Sequence, residues 1–262
     1  MWWFAYIEIS PEVYDYWNLV YWLGQRGSLG EAGGGILLLA GVLLCIVLPY
    51  LMGSVNPAIL ISKTLYRDDI RTHGSGNAGT TNMLRTFGTK AAVLTLLLDF
   101  GKAILATLLG RLLLGELGQS LAGFFVGFGH MFPIYYKFKG GKGVACFAMV
   151  GLVIHPLIFV GLLTVFLIVL IGTKFVSLAS VMAAFMFPFL MRAFAGDQSL
   201  AVAMGVMATC FVVFMHRENL KRIWRNEENK LDFSKLRKKK EAPAEECAEE
   251  SLGEPTEEKR DE

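Results

Sequence analysis

Charge is scarce in this chain. Of its 262 residues only 18% are Asp, Glu, Lys or Arg, while 54% are hydrophobic, for a mean hydropathy of +0.47. Soluble domains carry about a quarter charged residues. From Gly35 to Ile61 no side chain ionises except those of Cys45 and Tyr50. A run of roughly 18 apolar residues is enough to cross the hydrocarbon core of a bilayer, and such runs recur, so a single soluble core is excluded. Basic excess is also lacking: the net charge is +2, which implies no nucleic-acid partner. The four cysteines, Cys45, Cys146, Cys210 and Cys247, form no pair at metal-ligand spacing and no disulfide framework. No Lys or Arg precedes Arg26, so the basic start of a secretory signal is missing. What stands there is aromatic, from Trp2 to Trp22, as suits a segment lying at a lipid–water interface.

The apolar runs predict an all-α integral membrane protein of about seven spans, near 36–62, 89–114, 118–136, 142–155, 156–173, 175–192 and 199–216. Continuous rather than alternating hydrophobicity selects helices over a barrel. Pro49 and Pro57 should bend or break the first span. Lys and Arg then alternate between connections. The 63–88 loop carries Lys63, Arg67, Arg71 and Arg85, and the 137–142 loop carries Lys137, Lys139 and Lys142. Lys174 marks a later turn, and the segment after 216 is densely basic, whereas 115–117 and 155–156 carry none. The positive-inside rule then puts the N-terminus out and the C-terminus in the cytoplasm. Three regions follow: an interfacial extension 1–35, a membrane domain 36–225, and a charged tail 226–262. The tail's Lys238–Lys240 cluster and Glu-rich end are expected to be disordered.

Polar function concentrates in three places, all on the expected cytoplasmic side. The first runs from Arg71 through Gly74-Ser75-Gly76-Asn77-Ala78-Gly79-Thr80-Thr81-Asn82 to Arg85. Glycines spaced by Ser, Asn and Thr let several backbone N–H groups turn inward, and such a nest flanked by Arg binds phosphate or carboxylate. The second is Gly129-His130 followed by Lys137 through Val144. Its Gly140-Gly141-Lys142-Gly143 pairs permissive backbone with a cation just before a helix, as a phosphate grip does. It is not a nucleotide-binding Walker loop, because Tyr136 and Gly143 stand where that pattern needs Gly and Ser or Thr. The third is His216-Arg217-Glu218-Asn219-Leu220-Lys221-Arg222, where helical spacing puts His216 and Asn219 on one face. A basic anchor at a span's end is the equally weighted plain reading. Asp99 and Lys102, three residues apart inside a span, are read as neutralising each other. Ser177 and Ser180 open the sixth span, where a packing serine is the default.

At these three motifs the chain resembles the bacterial acyl-phosphate:glycerol-3-phosphate acyltransferases, over about residues 40–230. The first family pattern, approximately G-S-G-N-P-G-A-T-N-x-x-R, is met from Gly74 to Arg85, with Ala78 for the Pro and Thr80 for the Ala. The second is met from Gly129 to Val144, and the third, H-R-E-N-[IL]-K-R, at every position from His216 to Arg222. The resemblance implies a compact seven-helix enzyme of the bacterial inner membrane. It would transfer an acyl chain from acyl-phosphate to the 1-hydroxyl of glycerol 3-phosphate, beside membrane lipids, with no cofactor and no metal. It implies Ser75, His216 and Asn219 as catalytic residues, and Arg85, Asn77, Gly140, Gly141, Lys142, Gly143 and Ser177 as substrate-binding ones. Soluble-type glycerolipid acyltransferases use His with Asp five residues on, and none of the four histidines here has that partner. A small-anion transporter is the alternative, though its sites would lie near the midplane in two related halves.

Overall fold

The computed structural model describes residues 18–20, 23, 31–196 and 198–231. The extension expected at 1–35 and the tail beyond 231 lie almost wholly outside the described residues. Asn56 and Pro57 break the first span. Helix α1, Glu31–Ser54, carries Pro49 inside it and runs on to Ser54. Helix α2, Pro57–Leu65, then starts afresh with proline in its first turn and the Asn56 side chain accepting from the N–H of Ile59 at 3.1 Å. The break thus sits at Pro57, where the missing N–H costs nothing, and not at Pro49.

A one-turn 3-10 helix, Ile70–Thr72, and the short helix α3, Thr80–Phe87, lead into α4, Thr89–Met131. Straight, those 43 residues would extend about 65 Å, twice the depth of a bilayer core. They are not straight. Leu114 and Gly115 leave helical geometry, Gly115 with φ of 58°, and the chain reverses there. A methyl group on Gly110 would stand 2.3 Å from the carbonyl oxygen of Gly118, so the two arms touch backbone to backbone. The second arm stops at Met131, and 134–136 is a 3-10 turn instead of the span's last turn.

Four helices complete the bundle: α5, Val144–Ile154; α6, Pro156–Thr173; α7, Val176–Phe194; and α8, Ser199–Met215. A short amphipathic helix, α9, Arg217–Trp224, follows α8 at a bend of 53°. His155 ends α5 and caps α6, its Nδ1 accepting from the N–H of Leu157 at 3.2 Å. With 11 residues α5 is about 16 Å long, too short to cross a bilayer alone.

The core lies where α4's second arm meets α5 to α8. Phe124, Phe147, Ile158, Phe187 and Met191 interlock there with Ala183, Ala201 and Ala208, small residues that let helices approach. The outward residues are large and apolar, among them Ile36, Leu105, Ile168, Ile171 and Phe189, each more than 60% exposed. In water that surface would be untenable; in lipid it is the solvent-facing side. Among the described residues, four helical stretches are long and apolar enough to cross a membrane, five if α8 and α9 form one bent span. The chain is an all-α, multi-pass integral membrane protein.

Candidate active site

The first polar loop is held by its own side chains. Asn82, on α3, accepts the N–H of Ser75 at 3.1 Å and donates to the carbonyls of Ile70 and His73 at 3.1 and 2.9 Å. Asn56 donates to the carbonyl of Ala78 at 3.3 Å, tying the loop to the α1–α2 break. Asp69 caps the 3-10 turn and pairs with Arg71 at 2.7 Å; the Arg71 guanidinium holds its carboxyl well below the usual carboxylate range. Arg71 is therefore occupied locally. Ser75 and Arg85 stay exposed at the cavity edge, with Asn77 beside them.

The glycine loop before α5 is pressed onto the end of α4. The N–H groups of Gly140 and Gly141 donate to the carbonyls of Met131 and His130 at 3.2 and 3.0 Å. A methyl group on Gly141 would lie 2.0 Å from Nε2 of His130 and 2.8 Å from the carbonyl of Ala78. Glycine is thus required there by the protein's own walls, not by the approach of a ligand as the sequence suggested. Gly143, with φ of 77°, turns the chain into α5.

Lys142 reaches across the cavity and donates to Oδ1 of Asn219, whose Nδ2 donates to Oγ of Ser177 at 2.9 Å. Burial pushes the Lys142 ammonium down to about 8, with Arg222 and Arg85 adding to the fall and Glu228 opposing it. His216 sits at the α8–α9 bend, buried, with Nδ1 2.8 Å from the carbonyl of Val212. A carbonyl only accepts, so Nδ1 carries the hydrogen; burial, with Lys142 nearby, pushes the ring well below its usual value and keeps it neutral, leaving Nε2 a weak acceptor. The bend brings His216 and Asn219 into one cavity, as their spacing foresaw.

That cavity, about 420 Å³, has two characters. Its deep part is apolar, walled by Phe100, Phe147, Phe159, Leu162, Phe166 and Phe187. Its mouth collects the starts of three helices, α3, α5 and α7, none of which has a side-chain cap. Uncapped N–H groups and the positive end of each helix dipole converge there with Lys142 and Arg85. Of the residues singled out in the sequence, Ser75, Asn77, Arg85, Lys142, Gly143, Ser177, His216 and Asn219 all line this cavity. Gly140 and Gly141 stand behind it.

Two features went unread in the sequence. Glu228, from the stretch assigned to the charged tail, enters the cavity and accepts from Ser177, Asn219 and Arg222. Nothing in a Glu-rich run distinguishes that one glutamate beforehand. Asp99 and Lys102 do pair, at 2.9 Å, but His130 joins them, its Nδ1 3.1 Å from Asp99 and 2.9 Å from Lys102. Lys102 also donates to the carbonyls of Gly53 and Val55 at 3.1 and 2.8 Å, closing the end of α1. Asp99, His130 and Cys146 come within 4.8 Å of one another, a grouping that spacing did not foreshadow. The Lys102 ammonium lies against two of the three, so the protein itself supplies the cluster's positive charge.

Comparison with known proteins agrees with this architecture. Residues 43–226 match the family described as glycerol-3-phosphate acyltransferase. The chain is 41% identical over 192 residues to the glycerol-3-phosphate acyltransferase of Bacillus subtilis (strain 168), covering 73% of this chain and 98% of that protein. With the enzyme of the same description from Geobacillus kaustophilus (strain HTA426), identity is 40% over 190 residues, 72% of this chain and 96% of that one. The crystal structure of PlsY (YgiH), an integral membrane glycerol 3-phosphate acyltransferase in its glycerol 3-phosphate form, superposes with a TM-score of 0.70 at 30% identity. It covers 74% of this chain and 98% of that one. Its lysophosphatidic acid form gives 0.68 at 29% identity. On family match, identity and fold together, the chain belongs to the glycerol-3-phosphate acyltransferase family.

Proposed function

We propose that the protein transfers an acyl chain from acyl-phosphate to the 1-hydroxyl of glycerol 3-phosphate, releasing lysophosphatidate and inorganic phosphate. The observation that carries this reading is the mouth of the cavity, where three uncapped helix starts, Lys142 and Arg85 face one space that continues into an apolar chamber. Phosphate belongs at the first part and an acyl chain in the second. Such a site suits two anionic substrates, one of them carrying a long hydrocarbon.

The chemistry asks little of the protein beyond placement. The hydroxyl oxygen attacks the acyl carbonyl carbon, the carbon–oxygen bond to phosphate breaks, and phosphate leaves with the electron pair. Lys142, with Gly143 and Ser177 at the uncapped starts of α5 and α7, meets the phosphate of glycerol 3-phosphate, while Ser75, Asn77 and Arg85 meet the departing phosphate. Asn219 bridges Lys142 to Ser177. Two bases are available for the hydroxyl proton: Nε2 of His216 and the substrate's own phosphate. A loss of kcat of about a hundredfold or more in His216→Ala, with KM retained, assigns it to the imidazole.

The membrane arrangement proposed with this function has seven crossings: α1 with α2, the two arms of α4, α5 to α7, and α8. The short α5 leans on its neighbours. Arg67, Lys137 and Lys174 fall in alternate connections, which supports an outer N-terminus, a cytoplasmic C-terminus and a cavity open to the cytoplasm from the bacterial inner membrane. The charged tail then falls on the cytoplasmic side. Purified protein given acyl-phosphate and glycerol 3-phosphate should yield lysophosphatidate and phosphate in equal amounts. It should do so poorly with an acyl-thioester, and its turnover of acyl-phosphate should survive a metal chelator. Anion flux through liposomes without product would sink the proposal in favour of a transporter.

A further inference from the structure

The irregular stretch after α9 does not leave the protein. Asn226, with φ of 58°, turns it back, and the N–H of Leu231 donates to the carbonyl of Lys174 at 2.8 Å. Between these fastenings Arg85 donates to the carbonyl of Asn229 at 3.4 Å, and the Lys230 ammonium lies 5.4 Å from the ring of Phe175. The segment thus spans from the end of α9 to the start of α7 across the cavity mouth. It delivers one carboxylate, that of Glu228, whose side chain is only 4% exposed.

The groups around that carboxylate have little freedom. Its Oε1 accepts from Oγ of Ser177 and, at 2.7 Å, from Nδ2 of Asn219; its Oε2 accepts from Nε of Arg222 at 2.8 Å. Burial pushes the Glu228 carboxyl up, but the hydrogen bonds from Ser177, Asn219 and Arg222 outweigh it and hold the group ionised. An amide side chain has two faces of opposite sense, and here each meets a charge that admits one sense only. An ionised carboxylate can only accept, so the NH₂ of Asn219 must face Glu228. An ammonium can only donate, so the carbonyl of Asn219 must face Lys142. Ser177 accepts from Asn219 and gives its single hydrogen to Glu228.

We infer that Glu228 is a positioning residue for glycerol 3-phosphate binding: it fixes the sense of the Lys142–Asn219–Ser177 chain and holds Arg222 beside itself. This rests on the reading of Lys142 as the phosphate anchor. Without the carboxylate, Asn219 is free to flip, Ser177 to rotate and Arg222 to swing out, so Lys142 loses its fixed aim. Glutamine in its place keeps the shape but can present a donor to a donor.

The test uses the full chain in detergent or nanodiscs, with Glu228→Gln, Glu228→Asp, Ser177→Ala and the Glu228→Gln/Ser177→Ala pair. Two readings are taken: KM for glycerol 3-phosphate at saturating acyl-phosphate, and the Kd of glycerol 3-phosphate by calorimetry. Glu228→Gln should raise both about tenfold, as expected for a lost charge-assisted contact, with a smaller fall in kcat. Glu228→Asp should recover part of the loss, and the Glu228→Gln effect should shrink in the Ser177→Ala background because the two act through one chain. An unchanged or lower Kd in Glu228→Gln overturns the inference; a lower one would mean that the carboxylate merely competes with phosphate for its donors. Equal effects in both backgrounds also overturn it. Should Glu228→Gln not elute as a monodisperse peak, Glu228→Asp decides by the same sign. The calorimetric Kd stands even if the unaltered protein forms no lysophosphatidate, an outcome that would count against the proposed reaction and not against Glu228.

Discussion

Replacing Lys142 by alanine removes the one lysine that reaches into the cavity mouth from the glycine loop, together with its bond to Asn219. A charge-assisted hydrogen bond is worth about 1.5–3 kcal/mol, so KM for glycerol 3-phosphate should rise roughly ten- to a hundredfold if ground and transition states share the contact. The ammonium is already disfavoured by burial, which brings its pKa to about 8, and this gives the prediction a second arm. Below that pH the lysine is charged and KM should be flat. Above it the free enzyme loses the charge, and KM should climb by up to about tenfold per pH unit, levelling at the value of the alanine variant. In Lys142→Ala the alkaline climb should vanish. The assay is initial phosphate release against glycerol 3-phosphate concentration at saturating acyl-phosphate, from pH 6.5 to about 9.5. A monodisperse Lys142→Ala protein with unchanged KM, or one that keeps the alkaline climb, would refute the phosphate anchor.

Other outcomes follow from neighbouring contacts. Gly141→Ala drives a methyl group against the His130 ring and the Ala78 carbonyl, and should lower the thermal midpoint as well as activity. A variant of ordinary stability with only a raised KM would restore the ligand-clearance explanation. His216→Ala should cut kcat by about a hundredfold with KM within a few-fold, measured in the same assay, and the opposite split would move His216 from the chemistry to binding. Lys102→Ala leaves the buried Asp99 carboxylate without its ammonium and should destabilise by about 3 kcal/mol or more, read as loss of folded protein on heating in detergent. Cys247 should react with impermeant thiol reagents only after cells are opened, and labelling of intact cells would reverse the proposed orientation.

The sequence by itself determined that the chain is helical and lies in a membrane, because unbroken apolar runs have no other satisfied backbone arrangement in lipid. It also marked the polar loops, since Gly140-Gly141-Lys142-Gly143 and His216 to Arg222 are local strings whose composition departs from everything around them. The boundary at His155-Pro156 was legible because proline acts on its own residue and its neighbour, and the break at Pro57 only in part, since Pro49 carried the same signal and stayed inside α1. What only the tertiary structure decided is anything that needs distant parts of the chain to meet. The reversal at 115–117 was legible as a gap between two apolar runs, but nothing in the runs reveals that Gly110 then touches Gly118, or that His130 joins Asp99 and Lys102. Gly141 looked like clearance for a ligand, yet its neighbours are His130 and Ala78, 11 and 63 positions away. Glu228 is the clearest instance. Among many tail carboxylates it alone in the described chain meets Ser177, Asn219 and Arg222, because a single left-handed turn at Asn226 sends it back into the cavity. The cost of leaving those donors unmatched is paid only in three dimensions, so no local pattern records it.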